Sequence, residues 1–327
     1  MNKAVMLGLS GSYEEQVRAQ LRTPWDLQVL PADVSMDELG GALADARAFL
    51  TNRFGRAMKL GAGVELLQVT AAGVDSIDLE AVPPSLWVCN AYGHEDAMGE
   101  YAIMAMLLWS HRFLEASSSF KGGSWDFGLG RPAALHGEVA GRTVAVIGLG
   151  RIGRAVATRA AAMGMHVLGC NRSPREPGHG VAEVLPWQRM DEMLARADFV
   201  VLACALSPET EGLIDAERLA AMKPDAVLIN LARGAVADEK DLFEALRERR
   251  IGGAVIDTWW HYPSDEEPDR RPSTLPYHEL GNVLMTPHCS AWTDGLFRRR
   301  GGHIAENLNL LAEGRRLLNI VRPPRTA

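Results

Sequence analysis

Three residue types able to do chemistry stand at the ends of short apolar runs. Val227-Leu228-Ile229-Asn230-Leu231-Ala232-Arg233-Gly234 reaches an arginine, Ala254-Val255-Ile256-Asp257 an aspartate, and Val283-Leu284-Met285-Thr286-Pro287-His288 a histidine. A guanidinium is permanently charged, so Arg233 can grip a carboxylate at two points and polarise a neighbouring carbonyl. An imidazole titrates near neutrality, so His288 can give a proton to a carbonyl oxygen or take one back. A 2-oxo acid needs both services. Taken singly, Arg233 reads as a surface charge and His288 as a structural histidine. In open parallel sheets, however, ligands collect at the carboxyl ends of strands, where all three residues would converge.

Upstream lies Val144-Ala145-Val146-Ile147-Gly148-Leu149-Gly150-Arg151-Ile152-Gly153, a buried strand running into G-x-G-x-x-G with an Ala-rich helix after it. Gly148 would make the tight turn, Gly150 would let a pyrophosphate approach, and Gly153 would let helix and strand pack. The N–H groups of Arg151 and Ile152 would open the helix beneath the phosphates. The next strand, His166–Cys170, ends at Asn171-Arg172-Ser173-Pro174-Arg175. NAD enzymes usually carry Asp or Glu there for the ribose 2′-hydroxyl. Here Arg172 and Arg175 would attract a 2′-phosphate, with Ser173 donating and Asn171 alongside. The expected cofactor is NADP(H), with NAD(H) second.

These groups need a frame. Ala4–Leu9, Leu27–Leu30, Ala48–Thr51 and Leu66–Thr70 form one series of short apolar runs. Thr143–Ile147, His166–Cys170, Phe199–Ala203, Ala226–Asn230, Gly253–Asp257 and Val283–Thr286 form a second. Such runs alternating with helical segments predict α/β architecture, with parallel sheets covered on both faces. Glu95–Leu114 reads as one long helix, Lys121–Trp125 as a glycine-rich loop, and Gly301–Leu318 as a last helix. Tyr262–Pro276, crowded with Pro, Asp, Glu and Arg, reads as a long surface loop.

At 327 residues, two domains are expected. Lys plus Arg number 34 against 41 Asp plus Glu, a net charge of −7, which argues against nucleic acid or an anionic membrane as partner. No apolar run is long enough to span a bilayer and the N-terminus has no signal-peptide core, so a cytoplasmic protein is expected. Cys89, Cys170, Cys204 and Cys289 form no C-x-x-C pair and are expected as buried thiols. The histidine spacing suggests no metal site.

The whole pattern resembles the D-isomer-specific 2-hydroxyacid dehydrogenase family. The resemblance rests on Ala72-Gly73-Val74-Asp75, Gly99-Glu100-Tyr101, Gly148–Gly153, Leu206-Ser207-Pro208-Glu209-Thr210-Glu211-Gly212-Leu213-Ile214, Asn230–Gly234 and Thr286-Pro287-His288. It implies a flavodoxin-like substrate domain (1–94 plus 293–327), a Rossmann cofactor domain (95–292), a cleft between them and a homodimer. Arg233 would bind substrate and His288 would act as acid or base. The N–H groups of Ala72 and Gly73 would hold the carboxylate. Asp257, Met98, Leu231 and Ala232 would lie against the cofactor.

One departure matters. The family's usual glutamate partner of the histidine is replaced by Tyr262 in Trp259-Trp260-His261-Tyr262-Pro263, unless an insertion brings Glu267-Pro268 into that role. A neutral tyrosine would leave His288 titrating lower than in typical relatives. Trp259, Trp260 and Trp292 would line the substrate side-chain pocket or pack structurally. The expected activity is reduction of glyoxylate, hydroxypyruvate or a similar 2-oxo acid. Alternatives are formate or phosphite as substrate, phosphite being disfavoured by Ala72, or a non-catalytic nucleotide-sensing scaffold like the corepressors of this fold.

Overall fold

Near-continuous apolar segments form the strands of two sheets in a computed structural model that describes residues 1–131, 135–173, 175–264 and 266–325. In chain order the strands are β1 (Asn2–Leu7), β2 (Trp25–Leu30), β3 (Ala48–Thr51), β4 (Leu66–Val69), β5 (Trp87–Cys89), β6 (Thr143–Ile147) and β7 (His166–Asn171). Then come β8 (Glu183–Pro186), β9 (Phe199–Leu202), β10 (Val227–Asn230), β11 (Gly253–Ile256), β12 (Val283–Met285) and β13 (Ile320–Arg322). The chain divides into two units, Met1–His94 with Thr293–Ala327, and Glu95–Trp292.

In the first unit the strand order is β2-β1-β3-β4-β5-β13, parallel except for β13, which runs antiparallel to β5. Ala4 and Met6 pack on one face with Ile304, Leu308 and Leu311. Val5 and Leu7 pack on the other with Leu39, Phe49 and Leu67. Burial of both faces is why these strands read as unbroken apolar runs rather than alternating ones. The second sheet, β8-β7-β6-β9-β10-β11-β12, is parallel throughout. Its order reverses between β6 and β9, the place where doubly wound sheets open a crevice at their carboxyl edge. Ala145 and Ile147 face one core, and Val144 and Val146 the other.

Several expected boundaries move. The long helix is two, Glu95–Ser110 and Phe113–Lys121, because Arg112 takes a left-handed backbone (φ 49°) between them. The second buries no residue, so nothing in its pattern demanded a continuous face. The last helix is Asp294–Ala312, starting well before Gly301, with the Thr293 hydroxyl accepting the Leu296 N–H as its cap. Of the thiols, Cys89 and Cys170 are buried, Cys204 is half-buried and Cys289 is exposed, against the expectation that all four lie inside. In the loop of residues 262–276, Asp265 lies outside the described residues. No described helix is long and apolar enough to cross a membrane.

Candidate active site

Each glycine of the turn after β6 answers a different physical demand. Gly148 has φ 98°, and a β-carbon there would press within 2.8 Å of the Ala203 carbonyl. A β-carbon on Gly153 would collide with the Gly148 carbonyl oxygen, where helix Arg151–Ala162 crosses the turn. At Gly150 nothing stands within 4 Å of the missing β-carbon. Two glycines are thus needed by the fold, and the third leaves room over the start of a helix. The N–H groups of Arg151, Ile152 and Gly153 belong to that first turn, where helices have no internal acceptors to offer. The cradle suits a pyrophosphate by shape and by dipole.

At the end of β7, Asn171 turns back into the structure. Its Oδ1 accepts the Leu149 N–H at 3.2 Å and its Nδ2 donates to the Ser173 carbonyl at 2.9 Å. Ser173 and Arg175 are exposed. Arg172 stands 3.5 Å from Glu209 in a solvent-exposed ion pair. Such pairs contribute little and exchange easily.

The strand ends of β10, β11 and β12 are tied together by their own polar groups. After β10, Asn230 donates Nδ2 to the Arg233 carbonyl and accepts the Ala232 N–H, both at 3.0 Å, which fixes the turn that presents Arg233. Leu231 and Ala232 are buried, Arg233 is half-buried, and its Nη1 donates to the Ala232 carbonyl at 2.8 Å. Any β-carbon on Gly234 would strike the Trp259 and Trp260 backbone, so glycine lets the two loops touch.

Asp257, fully buried, holds the loop that carries His288. Its Oδ1 accepts the Thr286 hydroxyl at 2.6 Å and the Cys289 N–H at 2.9 Å; its Oδ2 accepts the Ser290 N–H at 3.0 Å. Tyr101 adds a 2.5 Å hydroxyl contact to Thr286, and the Trp259 indole N–H donates to the Thr286 carbonyl at 2.8 Å. The constraint shows in the backbone, since His288 has φ 55°. Strained φ in a non-glycine residue persists only where surroundings over-determine it.

The Tyr262 hydroxyl lies 2.9 Å from His288 Nδ1 and accepts the Trp259 N–H at 3.1 Å. Glu267, the alternative partner, instead pairs with Arg270 at 3.2 Å. The His288 residue keeps an exposed surface, yet protein packed around the ring withdraws enough water to hold its pKa below the ordinary histidine value. Arg233 pushes in the same direction and Asp257 opposes. Burial raises the Tyr262 phenol, with Arg233 working against it.

The remaining expected residues are placed as follows. Met98 is buried in helix Glu95–Ser110. Ala72 and Gly73 belong to the first unit, where the Asn90 amide donates to the Ala72 carbonyl at 2.6 Å. Trp259 and Trp260 pack in the core with Tyr277, and the Trp260 indole donates to the Ala237 carbonyl, so both act as packing and loop anchors. Trp292 is 54% exposed. Reading the sequence for chemistry overlooked Thr286, Asn230 and Tyr101, although each sits inside a quoted motif.

The profile of the D-isomer specific 2-hydroxyacid dehydrogenase NAD binding domain matches residues 103–290. The chain is 36% identical to the D-3-phosphoglycerate dehydrogenase of Methanocaldococcus jannaschii across 77% of its own length, though the match spans only 46% of that protein. It is 35% identical to the glyoxylate reductase of Thermococcus onnurineus, with 77% of each chain covered. The structure of a 2-hydroxyacid dehydrogenase from Ketogulonicigenium vulgare Y25 is similar over 99% of this chain and 100% of that one, with TM-score 0.82 and 25% identity.

Proposed function

This chain belongs to the D-isomer specific 2-hydroxyacid dehydrogenase family, and from that premise we propose that it transfers hydride between NADP(H) and a small 2-oxo or 2-hydroxy acid. The favoured reaction is reduction of glyoxylate, hydroxypyruvate or a similar acid to the D-2-hydroxy acid. The observation that carries this reading is the convergence of Arg233, His288 and Tyr262 from three adjacent strand ends, with Arg233 near enough for its charge to act on both other side chains. In this reading Arg233 binds the carboxylate and polarises the oxo group. His288 hands the oxygen its proton, and Asp257 keeps the His288 loop in place. Met98, Leu231 and Ala232 border the cofactor.

The nicotinamide, when bound, supplies the hydride; the protein contributes position and charge. Residues Gly148–Gly153 would hold its pyrophosphate. Preference for NADP(H) rests on the absence of a carboxylate at the end of β7 and on exposed Arg172 and Arg175, which a 2′-phosphate could recruit with Ser173. Two copies would pair through the exposed Met104, Phe113, Leu114, Phe120, Trp125 and Leu129 of the second unit, large apolar side chains that a partner surface would cover. The deciding experiment is nicotinamide absorbance with a panel of 2-oxo acids, run with both NADPH and NADH and extended to formate and phosphite in the oxidising direction. Oxo-acid turnover lost in Arg233→Ala and His288→Ala supports the assignment; turnover surviving both variants refutes it. Light scattering at micromolar concentration gives the oligomeric state.

A further inference from the structure

Hydrogen-bond capacity around His288 determines more than the identity of its partner. A phenol has one proton to give and oxygen lone pairs to receive, whereas a carboxylate can only accept. The Trp259 N–H can only donate, and at 3.1 Å it occupies one lone pair of the Tyr262 oxygen. Among the described residues, the acceptor that the same oxygen meets is His288 Nδ1, at 2.9 Å. With one lone pair engaged by Trp259, the phenol is free to give its proton to Nδ1. In that arrangement a neutral His288 carries its own proton on Nε2. An acidic partner would enforce the opposite tautomer, with the proton on Nδ1 and a bare Nε2.

We propose that Tyr262 is the terminal proton donor of a two-step relay, Tyr262 Oη–H to His288 Nδ1 and His288 Nε2–H to the substrate oxygen, so that a neutral imidazole can serve reduction. The proposal rests on the 2-oxo acid reading above. As hydride reaches the carbonyl carbon, the π pair moves to oxygen and that oxygen takes the Nε2 proton. The pair of the broken N–H bond stays in the ring, and Nδ1 takes the phenol proton. Tyr262 is left as phenolate, facing the Trp259 N–H and the Arg233 charge, and solvent returns its proton. The residue is 42% exposed, so that return is open. Even with burial raising it, a phenol is a stronger acid than the alcohol being formed, which drives the transfer forward. Within this unit the charged groups acting on the pair are Asp257, which holds protons on both rings, and Arg233, which favours their release.

The test begins without cofactor. Long-range proton–nitrogen spectra of the ¹⁵N-labelled protein at pH 8 should show His288 Nδ1 as an unprotonated nitrogen and Nε2 as protonated. Tyr262→Phe should lose that bias and Tyr262→Glu should invert it. An Nδ1-protonated wild type, or a tautomer unmoved by Tyr262→Phe, overturns the proposal. In turnover, Tyr262→Phe should lower kcat/KM for reduction about 100-fold at pH 8, within the range of general acid catalysis. At pH values below the depressed folded pKa of His288, where imidazolium supplies the proton unaided, the loss should be under about 3-fold on the same ground. Parallel pH profiles for the two proteins would also overturn the relay. If no 2-oxo acid is reduced while Nδ1 is found unprotonated, the functional reading fails and the relay with it, but the tautomer assignment stands. An unchanged thermal midpoint in Tyr262→Phe is the control for folding.

Discussion

Replacing Asp257 with asparagine tests how much of the site depends on one buried carboxylate. The wild-type oxygens accept from the Thr286 hydroxyl, the Cys289 N–H and the Ser290 N–H, with no solvent contact. Asparagine offers one acceptor where three donors converge on two. If its oxygen keeps the Oδ1 position, the amide N–H₂ faces the Ser290 N–H. If it turns over, the amide can donate to Thr286, but the Cys289 N–H loses its acceptor. Orphaning the buried Ser290 N–H costs about 1–3 kcal/mol and orphaning the less buried Cys289 N–H the lower end of that range, and the surviving bonds fall from charged to neutral strength, about 1 kcal/mol each. The expected loss is about 3–5 kcal/mol, a large part of a typical folding free energy of roughly 5–15 kcal/mol. The variant also removes the charge that raises the His288 pKa, so that pKa should fall further below its already depressed position. Denaturant unfolding measures the first effect and an NMR titration of His288 the second. A stability change under about 0.5 kcal/mol, comparable to an ordinary surface substitution, would refute the argument that this carboxylate organises the loop.

Gly148→Val and Gly150→Val should separate structural from ligand-binding need: the first should unfold or aggregate, while the second should keep its thermal midpoint and weaken NADPH binding at least tenfold by calorimetry. Arg172→Ala should raise the Kd for NADPH severalfold and leave NADH unchanged; equal changes for both would remove Arg172 from the 2′-phosphate site. Because the folded pKa of His288 lies below the unfolded value, the unfolded chain takes up a proton first as pH falls through the ordinary histidine range. This histidine therefore costs stability progressively from near pH 7 down to its folded pKa and no more below it; His288→Gln should flatten that part of the stability–pH curve measured by urea titration, and an unchanged slope would contradict the shift.

What could be read from the sequence divides along a physical line. The glycine turn was legible because each position answers a contact that only glycine permits, and such contacts leave a fixed spacing. The central strands were legible because burial on both faces leaves unbroken apolar runs. Strands β8 and β13 went unnoticed because edge strands are short and carry Glu, Pro or Arg where one side meets solvent, and β5, though interior, is only three residues long. The break at Arg112 has no local marker, since no glycine or proline stands there.

Asp257 shows the deeper limit. At the end of a strand it suggests a ligand contact, whereas its role in holding residues 286–290 depends on β12 lying beside β11, which spacing along the chain does not reveal. The choice between Tyr262 and Glu267 was open for the same reason: spacing along the chain cannot say which side chain a loop turns inward. The Trp259 N–H settles the local geometry, because a backbone donor aimed at the Tyr262 oxygen holds that ring against His288, while Arg270 keeps Glu267 occupied elsewhere. The partner of the histidine is thus selected by where one loop spends its hydrogen bonds, and a phenol selected this way can donate where an ionised carboxylate could only accept.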